Sequence, residues 1–229
     1  MNYKKTNEKL AVARLPGEQY EKNATLFLFA LLFCLGAMFA TQARAQGYES
    51  IDPVQNTSVT DKVEVLEFFW FGCPHCYAFE PSIDEWASDL PENTVFVREA
   101  PPLNPSWESH SRAFYASEIL GISEKFVPAM FNAIHKDRKA MRKPGDIAEL
   151  AETFGVSKKA FTDAMGSFGV QTRMARAMQL ARGTGITGVP AIIVNGKYRI
   201  SSGTAGSHEG MIGAINQTVD AEKSVMGLE

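Results

Sequence analysis

The segment that most constrains this chain is Val63-Glu-Val-Leu-Glu-Phe-Phe-Trp70, which runs without a break into Phe71-Gly-Cys-Pro-His-Cys76. A β-branched and aromatic run of this length predicts a strand over Val63–Trp70. Downstream, Phe79, Ile83, Trp86 and Leu90 recur at spacings of three and four, which predicts an amphipathic helix ending before Pro91. Two cysteines two residues apart therefore sit where a strand turns into a helix. The first falls at the helix N-terminus, where unpaired backbone N–H groups and the positive end of the helix dipole favour a thiolate. Cys73 is the expected nucleophile. Cys76, one turn further in, is the expected resolving thiol. Pro74 suits a first turn because it needs no N–H donor, and His75 can add a charge-assisted donor or a positive charge beside the thiolate.

The same spacing has duller readings. Half of a zinc site would need two further ligands, and His75, His110, His135 and His208 stand in no paired ligand spacing. A plain disulfide across so short a loop stabilises little through chain entropy. A redox pair is the reading that uses the helix start.

A third cysteine, Cys34, makes the count odd, which needs explaining in an exported protein. Lys4, Lys5, Lys9, Arg14 and Lys22 precede an uncharged run from Asn23 to Ala43, closed by Ala43-Arg44-Ala45. Basic, apolar and A-x-A parts in that order predict a secretory signal over residues 1–45, cleaved after Ala45, with Cys34 leaving in it. An uncleaved anchor is the alternative, since roughly 20 apolar residues span a bilayer. Residues 46–229 then carry 17 basic against 23 acidic residues and only the Cys73–Cys76 pair. Export makes disulfide chemistry permissible, and the acidic balance gives no reason to expect nucleic acid as a partner.

Further along, Thr94–Arg98 reads as a second strand, and Ala100-Pro-Pro-Leu-Asn-Pro105 interrupts the pattern. Residues 106–182 carry only helical periodicity. Asp146 is the expected cap of a helix carrying Ile147, Leu150, Ala151 and Phe154, stopped by Gly155, and Ser157 the cap of the next, stopped by Gly166. A further helix is expected from about Gln171 to Arg182. Ala191–Val194 and Lys197–Ile200, joined by Asn195-Gly196, predict a hairpin. A helix from about Ser207 to Val219 closes a βαβ, helical block, ββα order.

Phe68-Phe-Trp-Phe-Gly-Cys-Pro-His-Cys-Tyr-Ala-Phe-Glu-Pro81 and the distant Gly188-Val-Pro-Ala-Ile-Ile-Val-Asn-Gly-Lys-Tyr198 resemble the DsbA family of periplasmic thiol:disulfide interchange proteins, over about residues 60–220. The resemblance implies an α/β thioredoxin fold (βαβ…ββα) with an inserted helical domain. Residues 46–105 and 183–229 would form the two parts of the thioredoxin-like domain, and 106–182 the insert. It implies a periplasmic dithiol oxidase that donates the Cys73–Cys76 disulfide to newly exported proteins and uses no cofactor beyond that disulfide. A DsbB-like quinone-linked membrane oxidase would restore the disulfide. The protein is expected to act as a monomer. An isomerase or reductase is the alternative within redox enzymes, and a non-catalytic peptide-binding chaperone the alternative outside them.

The resemblance also assigns second-tier residues. It implies a cis bond before Pro190, with Val189 and Pro190 facing the cysteines as a platform for extended substrate. Glu67, within a mostly apolar strand, reads from its residues alone either as a solvated edge group or as a buried, paired one. The family places a buried acid there beside a lysine, whose nearest counterpart is Arg98, and a guanidinium holds its proton. Phe69, Trp70, Phe71 and Tyr77 are more often core than substrate surface. Lys136, Arg138, Lys139, Arg142 and Lys143 read as a solvated loop or helix face, and Met174 and Met178 as core.

Overall fold

Strand β2 (Val63–Phe68) is buried along its whole length, as a strand covered on both faces must be. The computed structural model describes residues 47–228; the expected signal segment 1–45, its cleavage site and Cys34 lie outside the described residues. Around β2 the sheet also holds β1 (Glu49–Ser50), β3 (Thr94–Glu99), β4 (Ala191–Val194) and β5 (Tyr198–Ile200). Their order is β1-β5-β4-β2-β3. β2 runs parallel to β3 with Glu67 opposite Arg98, and antiparallel to β4 with Phe68 opposite Ala191.

Alternation along β2 sorts its side chains. Val63 and Val65 join Phe79, Ile83 and Trp86 of helix α1 (Pro74–Ser88), together with Met211, Ile215 and Val219 of helix α8 (His208–Met226). Leu66 and Phe68 pack on the other face with Ala181, Ile186 and Ile193. Glu67 shares the parity of Val63 and Val65. It therefore points toward α1 and is 1% exposed.

Between β3 and β4 the chain forms a 3₁₀ turn (Pro105–Trp107) and five helices: α2 (Glu108–Ile119), α3 (Ser123–His135), α4 (Pro144–Glu152), α5 (Lys158–Gly166) and α6 (Phe168–Gly183). Phe114, Phe126, Met130, Phe131, Ile147 and Phe161 pack at their centre, and the same cluster takes in Phe69, Phe71, Cys73 and Cys76. The helical block thus packs directly against the cysteine turn. A short helix α7 (Ser202–Ala205) precedes α8. At the hairpin, Asn195 and Gly196 have φ of 50 and 67, as a type I′ turn requires.

Several expected boundaries move. The first strand ends at Phe68 rather than Trp70. Asp146 is not a cap: Pro144 takes the first helical position of α4 behind Lys143, which places Asp146 inside the first turn, and the helix ends at Glu152 short of Phe154. Helix α6 starts at Phe168, not Gln171, because the Ser167 hydroxyl accepts the Val170 N–H at 3.2 Å. Helix α8 outruns Val219 to Met226, where Gly227 adopts φ 68. The cap at Ser157 stands as expected, and Ser207, expected only as the approximate start of the last helix, proves to be its cap. Met174 is buried and Met178 half-buried.

Candidate active site

Cys73 is the N-cap of α1 and Pro74 its first residue. A hydrogen bond from the Cys73 N–H to the Trp70 carbonyl (2.9 Å) tightens the turn. Gly72 is needed there, since a Cβ at that position would stand 2.3 Å from the Trp70 indole. Both cysteines are free thiols. The Cys73 thiol donates to the Val189 carbonyl at 3.4 Å, across 116 residues of sequence, and the Val189–Pro190 bond is cis. Beside this contact an open cleft of about 450 Å³ is lined by Gly188, Val189, Pro190 and Arg199 among others.

The two thiols are driven apart in acidity. A hydrogen bond from Cys76, backbone N–H groups of Cys76 and His75, and the His75 side chain lower the Cys73 pKa from 9.0 to about 6, against the opposing effect of burial. Burial, then the neighbouring Cys73, push the Cys76 thiol far upward. Reduction near neutral pH therefore takes up two electrons and one proton, but two protons below pH 6. Each proton of a two-electron couple contributes about 30 mV per pH unit. The Cys73–Cys76 potential, measured against glutathione, is expected to fall by about 60 mV per unit below pH 6 and about 30 mV per unit above it. One unbroken slope from pH 5 to 8 would contradict a thiolate at Cys73. Because the folded pKa is depressed, the thiolate stabilises the reduced protein increasingly from pH 6 to 9, and that gain is lost as pH falls through 6.

Beneath the thiols, one guanidinium holds three carboxylates. Arg98 donates from Nε to Glu67 Oε2 at 2.8 Å, from Nη1 to Glu80 Oε1 at 3.0 Å, and from Nη2 to Asp84 Oδ1 at 3.0 Å. Glu80 and Asp84 come from the face of α1 that lies over β3. Of the three acids only Asp84 reaches solvent, at 49% exposure. Burial raises the Glu67 carboxyl despite Arg98 and pushes Glu80 up to about 8. One cation cannot balance two buried carboxylates and a third at the rim. The Glu67 charge in turn adds to the upward push on Cys76.

A model of the DSBA-like thioredoxin domain matches residues 96–209. The thiol:disulfide interchange protein DsbA of Azotobacter vinelandii is 43% identical over 163 residues, covering 71% of this chain and 76% of that protein. The chain belongs to the DsbA family. DsbA of Pseudomonas aeruginosa is 36% identical over 206 residues, 87% of this chain and 97% of that one. Its crystal structure superposes with a TM-score of 0.74 over 78% of this chain and 93% of that chain, at 36% identity. DsbA of Xylella fastidiosa gives a TM-score of 0.73 at 25% identity, over 77% and 95%.

In this DsbA-family chain the motif residues divide by exposure: Pro74 and His75 face solvent while Cys73 and Cys76 are buried. The DsbA turn meets the start of β4, so that Cys73 faces Val189 and the cis Pro190 with Cys76 one helical turn away, and the β2–β3 register separately places Glu67 in direct contact with Arg98. Phe69 and Phe71 are core, and Trp70 stacks on Trp107 at 4.4 Å. Sequence reasoning missed four groups. Glu80 and Asp84 were readable as one helical face at i, i+4, with Cys76 one turn earlier. His135, whose Nε2 lies 2.7 Å from the Phe71 carbonyl, and His110, stacked near Trp70, come from the helical block and had no local signal.

Proposed function

We propose that this DsbA-family protein is a thiol:disulfide oxidoreductase that donates the Cys73–Cys76 disulfide to newly exported proteins. The observation carrying this reading is the Cys73 thiol, held at a helix N-terminus with its pKa near 6 and 3.4 Å from the Val189 carbonyl. A substrate thiolate attacks Cys73 Sγ, the Cys73–Cys76 bond breaks, and Cys76 leaves and takes a proton. A second substrate thiolate then attacks the substrate sulfur of the mixed disulfide and displaces the Cys73 thiolate. Two substrate thiols become a disulfide, and the enzyme pair becomes reduced. The low pKa of Cys73 makes it the better leaving group.

Pro74 and His75 tune that thiolate; Glu67 and Arg98 set the charge beneath Cys76; Val189 and Pro190 offer backbone to an extended substrate. Residues 46–105 and 183–229 form the thioredoxin-like domain and 106–182 its insert. The protein works as a monomer in the periplasm after removal of residues 1–45, using its own disulfide and no further cofactor. A DsbB-like quinone-linked membrane oxidase regenerates it. Among the described residues, no helix is long and apolar enough to cross a membrane.

Catalytic amounts of the oxidised protein, with glutathione disulfide, are expected to restore activity to reduced, unfolded ribonuclease. A potential as reducing as about −270 mV, typical of thioredoxin, would instead make the protein a reductase.

A further inference from the structure

The basic run Lys136, Arg138, Lys139, Arg142 and Lys143 is a loop between α3 and α4, and every one of the five is exposed. Both of its ends are tied to the cysteine turn. At the start, His135 places Nε2 2.7 Å from the Phe71 carbonyl and stacks on Tyr77 at 4.7 Å, while Asn132 accepts a hydrogen bond from the Tyr77 hydroxyl. Near its end the Met141 carbonyl lies 2.9 Å from His110 Nε2, and His110 packs on Trp70 and Phe71. Arg138 and Met141 take left-handed φ of 59 and 45, so the loop folds back rather than projecting. Its two ends are thereby anchored to the turn that carries Cys73.

Among the described residues, none of the five forms an ion pair. Lys139 borders a cleft with Asp146 and Glu149, leaving Lys136, Arg138, Arg142 and Lys143 as the less compensated charges. Residues 136–143 hold five basic residues and one acidic, whereas the rest of 46–229 holds 12 basic against 22 acidic. An acidic protein thus carries a cationic loop whose ends are anchored to its cysteine turn.

We infer that this loop is a specificity surface that captures acidic polypeptide segments next to the thiols the protein oxidises. The inference rests on the oxidase reading above. Charged loops of this kind steer encounter and raise on-rates by about tenfold or more at low salt. An anionic bilayer is the weaker match, because the exposed large apolar side chains Val54, Leu90, Ile119, Phe168 and Val225 all lie outside the loop, leaving it none to insert.

The test uses the oxidised protein and three dithiol peptides identical but for flanking residues: acidic, neutral or basic. The acidic peptide is expected to be oxidised about tenfold faster than the basic one at 20 mM salt, converging toward equality at 0.5 M. Replacing Lys136→Gln, Arg138→Asn, Arg142→Gln and Lys143→Gln together should bring the ratio close to one; asparagine is chosen at 138 because it tolerates left-handed φ. Lys158→Gln with Lys159→Gln, on α5, should keep the wild-type ratio. Equal rates for all three peptides in the wild type overturn the inference while sparing the oxidase reading. Failure to oxidise even the neutral peptide overturns the oxidase reading itself. Loop-dependent binding to phosphatidylglycerol vesicles, with no peptide preference, overturns it in favour of a membrane role.

Discussion

With glutathione disulfide as oxidant, Cys73→Ser is expected to leave reduced ribonuclease regaining its disulfides no faster than without enzyme, while Cys76→Ser is first glutathionylated at Cys73 and then exchanges with a substrate thiol, releasing glutathione and accumulating a mixed disulfide through Cys73. The two variants separate the roles of the pair. A serine hydroxyl cannot carry the sulfur–sulfur bond, so loss at Cys73 removes the entry point for the substrate. With Cys73 present and Cys76 gone, the enzyme has no thiol of its own to release a bound substrate, which leaves only the slower attack by a second substrate thiol, and the adduct is read as a mass shift lost on reduction. The thermodynamic weight of Cys73 can be set out. Its pKa falls from 9.0 to about 6, and three units correspond to about 4 kcal/mol, or about 90 mV toward a more oxidising couple. That figure is a ceiling, since the sulfur keeps some solvent contact at 8% residue exposure. Unchanged ribonuclease oxidation by Cys73→Ser would remove the cysteine pair from the reaction.

Arg98→Met is expected to destabilise the protein by about 3–5 kcal/mol at pH 8, the usual consequence of stranding a buried charge by removing its partner. Glu67 and Glu80 would lose their cation on a face that α1 keeps dry. Both carboxyls then rise further above their ordinary value. An acid whose folded pKa is raised opposes folding above its unfolded pKa and does not below it. The deficit should therefore be small near pH 4.5 and grow as pH rises. Urea midpoints at pH 5 and pH 8 would show this, and Arg98→Met with Glu67→Gln should recover part of the loss. Coincident midpoints for wild type and Arg98→Met at pH 8 would show that the guanidinium is not the counter-charge the geometry assigns to it.

Elements with a short-range cause are legible in the amino-acid sequence itself. Val63–Phe68, the Asn195-Gly196 hairpin, and the helices capped at Ser157 and Ser207 each carry their own periodicity or turn chemistry. Strand β1 does not: Glu49–Ser50 is two exposed residues held by pairing with Arg199 and Tyr198. Asp146 misleads because a cap-forming residue two positions past Pro144 is outranked by a proline ready for the first turn. At the site, Cys73 and Cys76 are readable from spacing, and Val189 and Pro190 from resemblance. The two readings of Glu67 separate only once α1 is seen to lie over that face of β2. His110 and His135 are invisible for a similar reason, since only the folded block brings residues 110 and 135 to the turn at 71.

The contact between Cys73 and Val189 spans 116 residues, and that separation bears on biosynthesis. Chains leave the ribosome at about 5–20 residues per second, so the cysteine turn is made roughly 6–23 s before the segment that faces it. Throughout that interval the newborn enzyme holds its reactive pair without the Val189 backbone or the β4 edge. Its own cysteines are for that time those of a client, and only the last strands of the sheet complete the surface that faces them.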